Sequence, residues 1–430
     1  MKVGIYTLGC KVNIYESEYV EELLKNHGYD IVPFDQIADI YIINTCSVTN
    51  ESDRKSRKMI HQAKKRNEKA ILVVMGCYSQ THAEAIDADI VIGSQDKSKI
   101  LEYLDQYYSK EESIKKLYNV REEVFFESMN IHHFDNHTRA FVKIQDGCNA
   151  FCSYCIIPYA RGRARSKKYE DVVAEVSNLV LNGYQEVVLT GIHTGRYGQD
   201  LEKMNLEKLL RRLVEIPNIY RIRLSSIEVN EVTEGIMDLM KSSDIIARHL
   251  HIPLQSGSDK ILRKMNRCYN VEEFEEKIKK IRAIDSDISL TTDLIVGFPG
   301  ETEEDFQETL STLKRIGFTK IHTFPYSKRE NTPASVMKNQ VDGLVKKRRV
   351  KEVLKLSHEM ERTFYEKYLG RTLAGLSECS KKGNVSILTS NYIQVLIEED
   401  IPNNRRCLVK ITKIDEENKV YGEFVEYIEK

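Results

Sequence analysis

The sequence predicts an α/β chain in three parts: an N-terminal parallel-sheet α/β domain, a central incomplete (βα)6 barrel, and a small C-terminal five-stranded β-barrel. Three observations carry this. Short β-branched runs alternate with polar helical stretches at the start of the chain, a longer alternation of the same kind begins at Arg139, and after Gly370-Arg371 the chain breaks into short β segments with polar turns. A length of 430 residues exceeds one ordinary core, at ~150 residues per domain. Hydrophobic content of 41% and charged content of 30% describe a soluble globular protein. With 64 basic and 65 acidic residues, any anionic partner must be held by local patches. No apolar run approaches the ~18 residues of a membrane span. The start, Met1-Lys2-Val3-Gly4, lacks the apolar core of a signal peptide, so a cytoplasmic protein with no membrane partner is expected.

The first domain is expected over residues 1–112. Residues 2–8 read as a strand, 16–26 as a helix, 39–44 as a strand, 53–66 as a helix and 70–75 as a strand, a βαβαβ order that implies a parallel sheet. Each of these strands ends in a cysteine: Cys10, Cys46 and Cys77. Groups at the carboxyl ends of neighbouring strands in an open α/β sheet converge on one crevice. The three thiols are therefore expected to meet and hold a metal cluster, although a buried Cys can also be simply a small hydrophobe. A fourth strand is expected at 89–93 and a helix at 94–108. Residues 113–137 read as a linker, in which His132 and His133 are a solvated pair and not a metal site.

The second domain is expected over 138–365. Strands are expected near 140–145, 186–189, 221–225, 249–254, 289–296 and 320–324, with helices at 170–181, 206–214, 232–241, 271–284 and 303–315. Six βα units are too few for a closed eight-fold barrel and suit an incomplete one, with its chemistry at the C-terminal strand ends. The loop after the first strand holds Cys148, Cys152 and Cys155 in the spacing C-x3-C-x2-C. Three thiolates on one short loop can hold three irons of a 4Fe-4S cluster and leave the fourth open. An open iron can chelate the amino and carboxylate groups of S-adenosylmethionine and pass it one electron. This stretch, with Tyr154 before the last Cys, resembles the radical S-adenosylmethionine (SAM) superfamily. A zinc site would want a fourth ligand, but no Cys or His follows Cys155 until His193.

A charged helix is expected over 341–368, and the third domain over 366–430, with strands at 372–378, 385–388, 393–397, 406–412 and 419–425. Such a barrel is a shape often used for nucleic acid. Basic residues cluster at 54–58 with 64–66, in the loop with Arg161, Arg163, Arg165, Lys167 and Lys168, and at 346–349. The loop contains no acid and lies near the radical cluster, so Arg161 and Arg163 are expected to contact a phosphate or a substrate carboxylate. Thr190, Gly191, Ser226, Glu228, Gln255 and Ser256, in loops after later strands, are candidates with Tyr154 for cofactor binding. Cys268, Cys379 and Cys407 stand apart from both cysteine groups.

Thr7-Leu8-Gly9-Cys10 with Asn13, Asn44-Thr45-Cys46, Gly76-Cys77, Gly147-Cys148 through Pro158, Arg161-Gly162, Pro253 through Gly257 and Val296 through Thr302 together resemble the methylthiotransferases, over essentially the whole chain. Cys46 through Asn50 and Ile144 through Gly147 with Pro158 through Arg163 look most like the threonylcarbamoyladenosine tRNA enzymes. The resemblance implies a transferase in which Cys10, Cys46 and Cys77 hold an auxiliary 4Fe-4S cluster, Cys148, Cys152 and Cys155 hold the radical cluster, and the terminal barrel is an RNA-binding TRAM domain. It implies that one SAM donates a methyl group to sulfur at the auxiliary cluster and a second is cleaved to a 5′-deoxyadenosyl radical. That radical removes hydrogen from C2 of threonylcarbamoyladenosine beside the anticodon, and 2-methylthio-threonylcarbamoyladenosine results. The implied partners are tRNA, an electron donor such as flavodoxin or ferredoxin, and a sulfur donor, acting on a monomer. Isopentenyladenosine in tRNA or an aspartate of a ribosomal protein are alternative substrates. A reading of another class is an RNA-binding protein with structural metal and no turnover.

Overall fold

In the computed structural model the described residues are 1–120, 122, 125–134, 137–379 (Cys379 by its backbone) and 385–428. Parts of the expected linker and the side chain of Cys379 thus lie outside the described residues. The N-terminal sheet contains β1 (Lys2–Thr7), β2 (Asp30–Val32), β3 (Ile40–Thr45), β4 (Ile71–Gly76), β5 (Ile90–Ile92) and β6 (Ile114–Lys116). They run parallel in the order β2-β1-β3-β4-β5-β6. Helices α1 (Lys11–Asn26), α2 (Asn50–Arg66), α3 (Cys77–His82) and α4 (Ile100–Lys110) connect them. Ile40, Ile42, Val73 and Met75 pack with Val20, Leu24 and Leu104 on one face, while Tyr41, Ile43, Leu72 and Val74 pack with Ala63 and Tyr78 on the other. Burial on both faces is why these strands read as unbroken apolar runs. Strand β6 adds an edge within the expected linker, and three-residue strands like it and β2 are too short to show a period.

The central unit has β7 (Ala140–Asp146), a short antiparallel β8 (Arg165–Ser166), β9 (Glu186–Gly191), β10 (Arg221–Leu224), β11 (His249–His251), β12 (Ser289–Val296) and β13 (Lys320–Pro325). The parallel strands form an arc β7-β9-β10 and β11-β12-β13, joined through bridges Ile222 to Ile246 and Ser226 to His251. This is the expected incomplete barrel of six βα units. Its helices are α5 (Ile157–Arg161), α6 (Tyr169–Leu181), α7 (Leu206–Leu213), α8 (Glu234–Ser242), α9 (Asp259–Lys264), α10 (Val271–Ile284) and α11 (Glu303–Ile316). Asn270 and Thr302 close capping boxes with Glu273 and Asp305 at the starts of α10 and α11. Strand β11 stops at His251, short of the expected 254, because Pro253 has no N–H to give and Gln255 adopts φ 65°.

Helix α12 (Gly343–Glu366) packs on β13, where Ser357 Oγ accepts from the Ile321 amide at 2.9 Å. It leads to β14 (Thr372–Cys379), β15 (Val385–Thr389), β16 (Gln394–Ile397), β17 (Arg406–Ile414) and β18 (Val420–Tyr427), a closed barrel in the order β14-β15-β16-β18-β17. Ile387, Ile393, Val395, Val409 and Ile411 fill it. Two buried arginines dock it: Arg221 donates to Leu388 O at 3.1 Å and Arg223 to Ser390 O and Thr389 O at 3.2 and 3.3 Å. Both are balanced by buried Glu186, 2.9 Å from Arg223 and 3.4 Å from Arg221. Among the described residues no helix is long and apolar enough to cross a membrane.

Candidate active site

Strands β1, β3 and β4 are neighbours and point the same way, so their following residues emerge side by side. Cys10 precedes α1, Cys46 follows β3 directly, and Cys77 begins α3. The structure brings these three predicted thiols together: the Cys46 and Cys77 thiols each feel their neighbours electrostatically, Cys10 among them. Gly9 makes the approach possible. At its φ of 104°, an added Cβ would stand 2.9 Å from Cys46 Cβ and 3.1 Å from Cys46 Sγ. Asn13 fastens the two loops by donating to Leu8 O at 2.7 Å and Thr45 O at 3.0 Å. Burial pushes the Cys77 thiol up to about 11 and raises Cys46 as well. A cation of the cluster would therefore displace protons from both.

The second predicted group also converges. Gly147, at φ 69°, leaves no room for a Cβ, which would fall 2.0 Å from Arg163 O. The turn it makes is closed by the Cys148 amide donating to Gly162 O at 3.0 Å. Asn266 donates to Ala150 O and Phe151 O at 3.3 and 3.2 Å, and Ser153 Oγ donates to Lys264 O at 2.7 Å, so α9 and its C-terminal turn hold the loop. Burial and the neighbouring Cys152 push Cys155 up to about 12. Two side chains the sequence reading had not placed here reach the sulfurs. His193 Nδ1 is 3.3 Å from Cys148 Sγ and its Nε2 is 2.7 Å from Glu231. Burial pulls this imidazole down, but hydrogen bonds to Cys148 and Glu231 outweigh it and push it up to about 9. Arg267 Nη1 lies 3.3 Å from Cys152 Sγ, and its Nη2 is paired with Glu228.

The basic loop requires a correction. Arg161, expected to face phosphate or a substrate carboxylate, is fully buried. Its Nη1 pairs with Glu16 at 2.8 Å and Asp146 at 3.1 Å, its Nη2 donates to Asn13 at 2.7 Å, and its Nε points at Cys77 Sγ, 3.2 Å away. Arg165 and Lys167 are buried too, on Asp146 at 3.2 Å and Glu175 at 2.7 Å. The loop has no acid of its own, but acids from α1, β7 and α6 meet it. Of Arg161 and Arg163 only Arg163 is exposed. The run 346–349 is likewise engaged in part, with Arg348 on Glu303 at 2.6 Å and buried Arg349 on Glu301 at 2.9 Å. Helix α5 thus begins just after the Cys148 loop and ends in a guanidinium at the Cys77 sulfur, linking the two thiol groups.

A cavity of about 1130 Å³ opens between the N-terminal sheet, the partial barrel and the C-terminal barrel. Cys10, Lys11, Thr190, Gly191, Ser226, His249 and Tyr392 are on its wall. Of the predicted cofactor contacts, Thr190, Gly191 and Ser226 therefore line it. Glu228 lines a smaller cavity of about 200 Å³ with Cys152, His193 and Arg267. Gln255 and Ser256 line neither, and buried Ser256 accepts from the Ser258 amide at 3.3 Å. Tyr154 packs its ring against Ile261, Met265, Phe298 and Tyr326.

Chemically the two groups are alike: three thiols each, with one buried guanidinium aimed at a sulfur. Among the described residues no three His, Cys, Asp or Glu are drawn tightly enough to hold a single metal ion. Each group supplies three free thiols, one for each of three irons, so the donor sets fit 4Fe-4S groups. A profile of the Radical SAM superfamily matches residues 142–313, and one of "Uncharacterized protein family UPF0004" matches 2–93. The chain is 42% identical over 441 residues to a threonylcarbamoyladenosine tRNA methylthiotransferase of Bacillus subtilis, covering 99% of this chain and 97% of that one. One of Aquifex aeolicus is 42% identical over 404 residues, covering 92% and 96%. A tRNA-2-methylthio-N(6)-dimethylallyladenosine synthase of Clostridium tetani is 38% identical over 424 residues, covering 95% and 93%. The fold is similar to that of a radical S-adenosylmethionine methyltransferase, TsrM, from Kitasatospora setae, with a TM-score of 0.55, 14% identity, and 78% and 77% of the chains covered.

Proposed function

We propose, from the premise that this chain belongs to the methylthiotransferase family of radical SAM enzymes, that it converts threonylcarbamoyladenosine beside the tRNA anticodon to its 2-methylthio derivative. It is a transferase that works with SAM and 4Fe-4S clusters. We assign Cys10, Cys46 and Cys77 to the auxiliary cluster and Cys148, Cys152 and Cys155 to the radical cluster. Bound there, the clusters would supply the electron that cleaves one SAM to a hydrogen-abstracting radical and the sulfur that a second SAM methylates.

The chain's own residues do the rest. Arg161 and Arg267 place fixed positive charge at Cys77 and Cys152 in a low-dielectric setting, where the negative charge of thiolates and cluster is otherwise expensive. Glu16 and Glu228 hold those guanidinium groups in orientation. Thr190, Gly191 and Ser226 offer hydroxyl and close backbone at strand ends for the cofactor's ribose and amino acid. The C-terminal barrel contributes Leu388, Tyr392, Gln394 and Leu396 to the cavity wall.

The observation that carries the substrate assignment is the character of the cavity wall. Lys11, Arg139, His249, His251, Lys320 and His322 face it beside Asp293, Glu361 and Glu378, a polar, mixed-charge lining poorly matched to a prenyl group, in which Lys11 is left without a carboxylate partner among the described residues. The two relatives at 42% identity are both threonylcarbamoyladenosine enzymes, although two others of that kind stand at 36%, level with dimethylallyladenosine synthases at 36–38%. The test is anaerobic reconstitution with SAM and dithionite, with nucleosides read by mass spectrometry. Cys152→Ala should form no 5′-deoxyadenosine. Cys46→Ala should still form it but yield no methylthio product. Iron should fall from about eight to about four per chain in each. Preferred modification of isopentenyladenosine tRNA by the unaltered enzyme would overturn the assignment, and absence of 5′-deoxyadenosine from it would favour a binding protein.

A further inference from the structure

The cavity beside Cys10 holds an unanswered charge. Arg139, Lys320 and Lys419 on its wall each have a carboxylate, Glu378 at 2.7 Å, Glu361 at 2.9 Å and Glu417 at 2.5 Å. Lys11 is on the same wall, half-buried, and has no carboxylate within ion-pair distance among the described residues. Behind it His249, 6% exposed, places Nε2 3.1 Å from Thr291 Oγ1 and stacks on Tyr392 at 4.4 Å, with its Nδ1 buried away from the cavity. The wall thus offers an ammonium that faces Tyr392 and no carboxylate partner among the described residues, next to a cysteine that we assign to the auxiliary cluster.

The chemistry of the substrate meets this arrangement. C2 of adenine and the carbon bearing N6 flank the same ring nitrogen, so an arm on N6 lies along the edge from which C2 must be reached. With C2 directed at the Cys10 group, the arm falls beside the residue that follows Cys10. The threonylcarbamoyl arm ends in a carboxylate and carries a hydroxyl. We infer that Lys11 is the counterion of the threonyl carboxylate and that it is the specificity determinant. The role expected of Arg161 passes to Lys11, because Arg161 is spent on Glu16 and Asp146. This inference rests on the substrate proposed above.

The experiment measures binding, not turnover. The reconstituted holoenzyme is titrated by fluorescence anisotropy with an anticodon stem-loop RNA bearing threonylcarbamoyladenosine, and with one whose threonyl carboxylate is a methylamide. The unaltered protein should prefer the carboxylate on the order of tenfold to a hundredfold, as expected for a desolvated ion pair. Lys11→Met should bring that ratio to about one, and Lys11→Arg should restore most of it. A ratio unchanged in Lys11→Met would refute the inference. So would equal weakening for both RNAs with a shallower salt dependence, which marks a phosphate contact. Should Lys11→Met lose its iron, the unaltered protein and Lys11→Arg decide: no preference in either refutes the inference. Failure of the substrate reading has its own signature, tighter binding of an isopentenyladenosine stem-loop than of both of these.

Discussion

Single residues divide between those whose neighbours in sequence reveal them and those whose neighbours in space do. The grouping of the six cysteines into two sets was legible because each sits next to a turn glycine, at a strand end, or inside a spaced triad. Arg161 was misread because its partners arrive from far away: Glu16 is 145 positions distant and stands on α1. Burial alone would raise the Glu16 carboxyl, but Arg161, Lys143 and Lys97 outweigh it and hold it well below the usual range. Arg161→Met would remove one of the cations on Glu16 and Asp146 while Lys97, Lys143 and Arg165 remain, so a loss of about 1–3 kcal/mol in unfolding free energy is expected by chemical denaturation. A carboxyl whose folded pKa lies below its unfolded value of ~4.3 stabilises the fold above that value and loses the contribution as pH falls through the folded pKa. Stability should thus decline below about pH 5, and in Glu16→Gln that decline should be shallower by roughly 1.4 kcal/mol per pH unit. An identical acid slope in the two proteins would show that Glu16 is not ionised in the fold.

Elements were read well wherever a period had room to repeat. The strands and longer helices of the partial barrel fall close to their expected places, while β2, β6, α5 and α9 are three to six residues long and carry no period of their own. Two of these brief pieces matter for chemistry, since α5 delivers Arg161 and α9 supports the Cys148 loop. The loop itself depends on backbone shape. At Gly147 a methyl group would meet Arg163 O at 2.0 Å, and the φ of 69° is one that side chains disfavour. Gly147→Ala should therefore misplace Cys148, lower iron by about four per chain and abolish 5′-deoxyadenosine, while the electronic absorption of the remaining cluster persists. Full iron with full cleavage would mean that the turn can yield.

At the scale of the whole molecule, three domains were legible from where the alternation of strand and helix changed, but the cavity between them was not. Its walls come from Cys10 and Lys11, from strand ends of the partial barrel, and from Tyr392 at a hairpin of the last barrel, residues that no spacing connects. The placement of the thiols has a further consequence, for maturation. Cys148, Cys152 and Cys155 fall within eight consecutive residues, so a nascent or unfolded chain already presents them as a set, and closing so short a loop costs little entropy. Cys10, Cys46 and Cys77 follow three different strands and become a set only when β1, β3 and β4 have paired. On the assignment proposed above, loading would be ordered: one cluster could precede folding, and the other would follow it. Supplied with iron and sulfide in a denaturant that unfolds it, the chain should take up about four irons, and the Cys152→Ala chain almost none. Uptake of eight irons by the unfolded chain would contradict this order; otherwise the auxiliary cluster serves as a covalent record that the N-terminal sheet was built first.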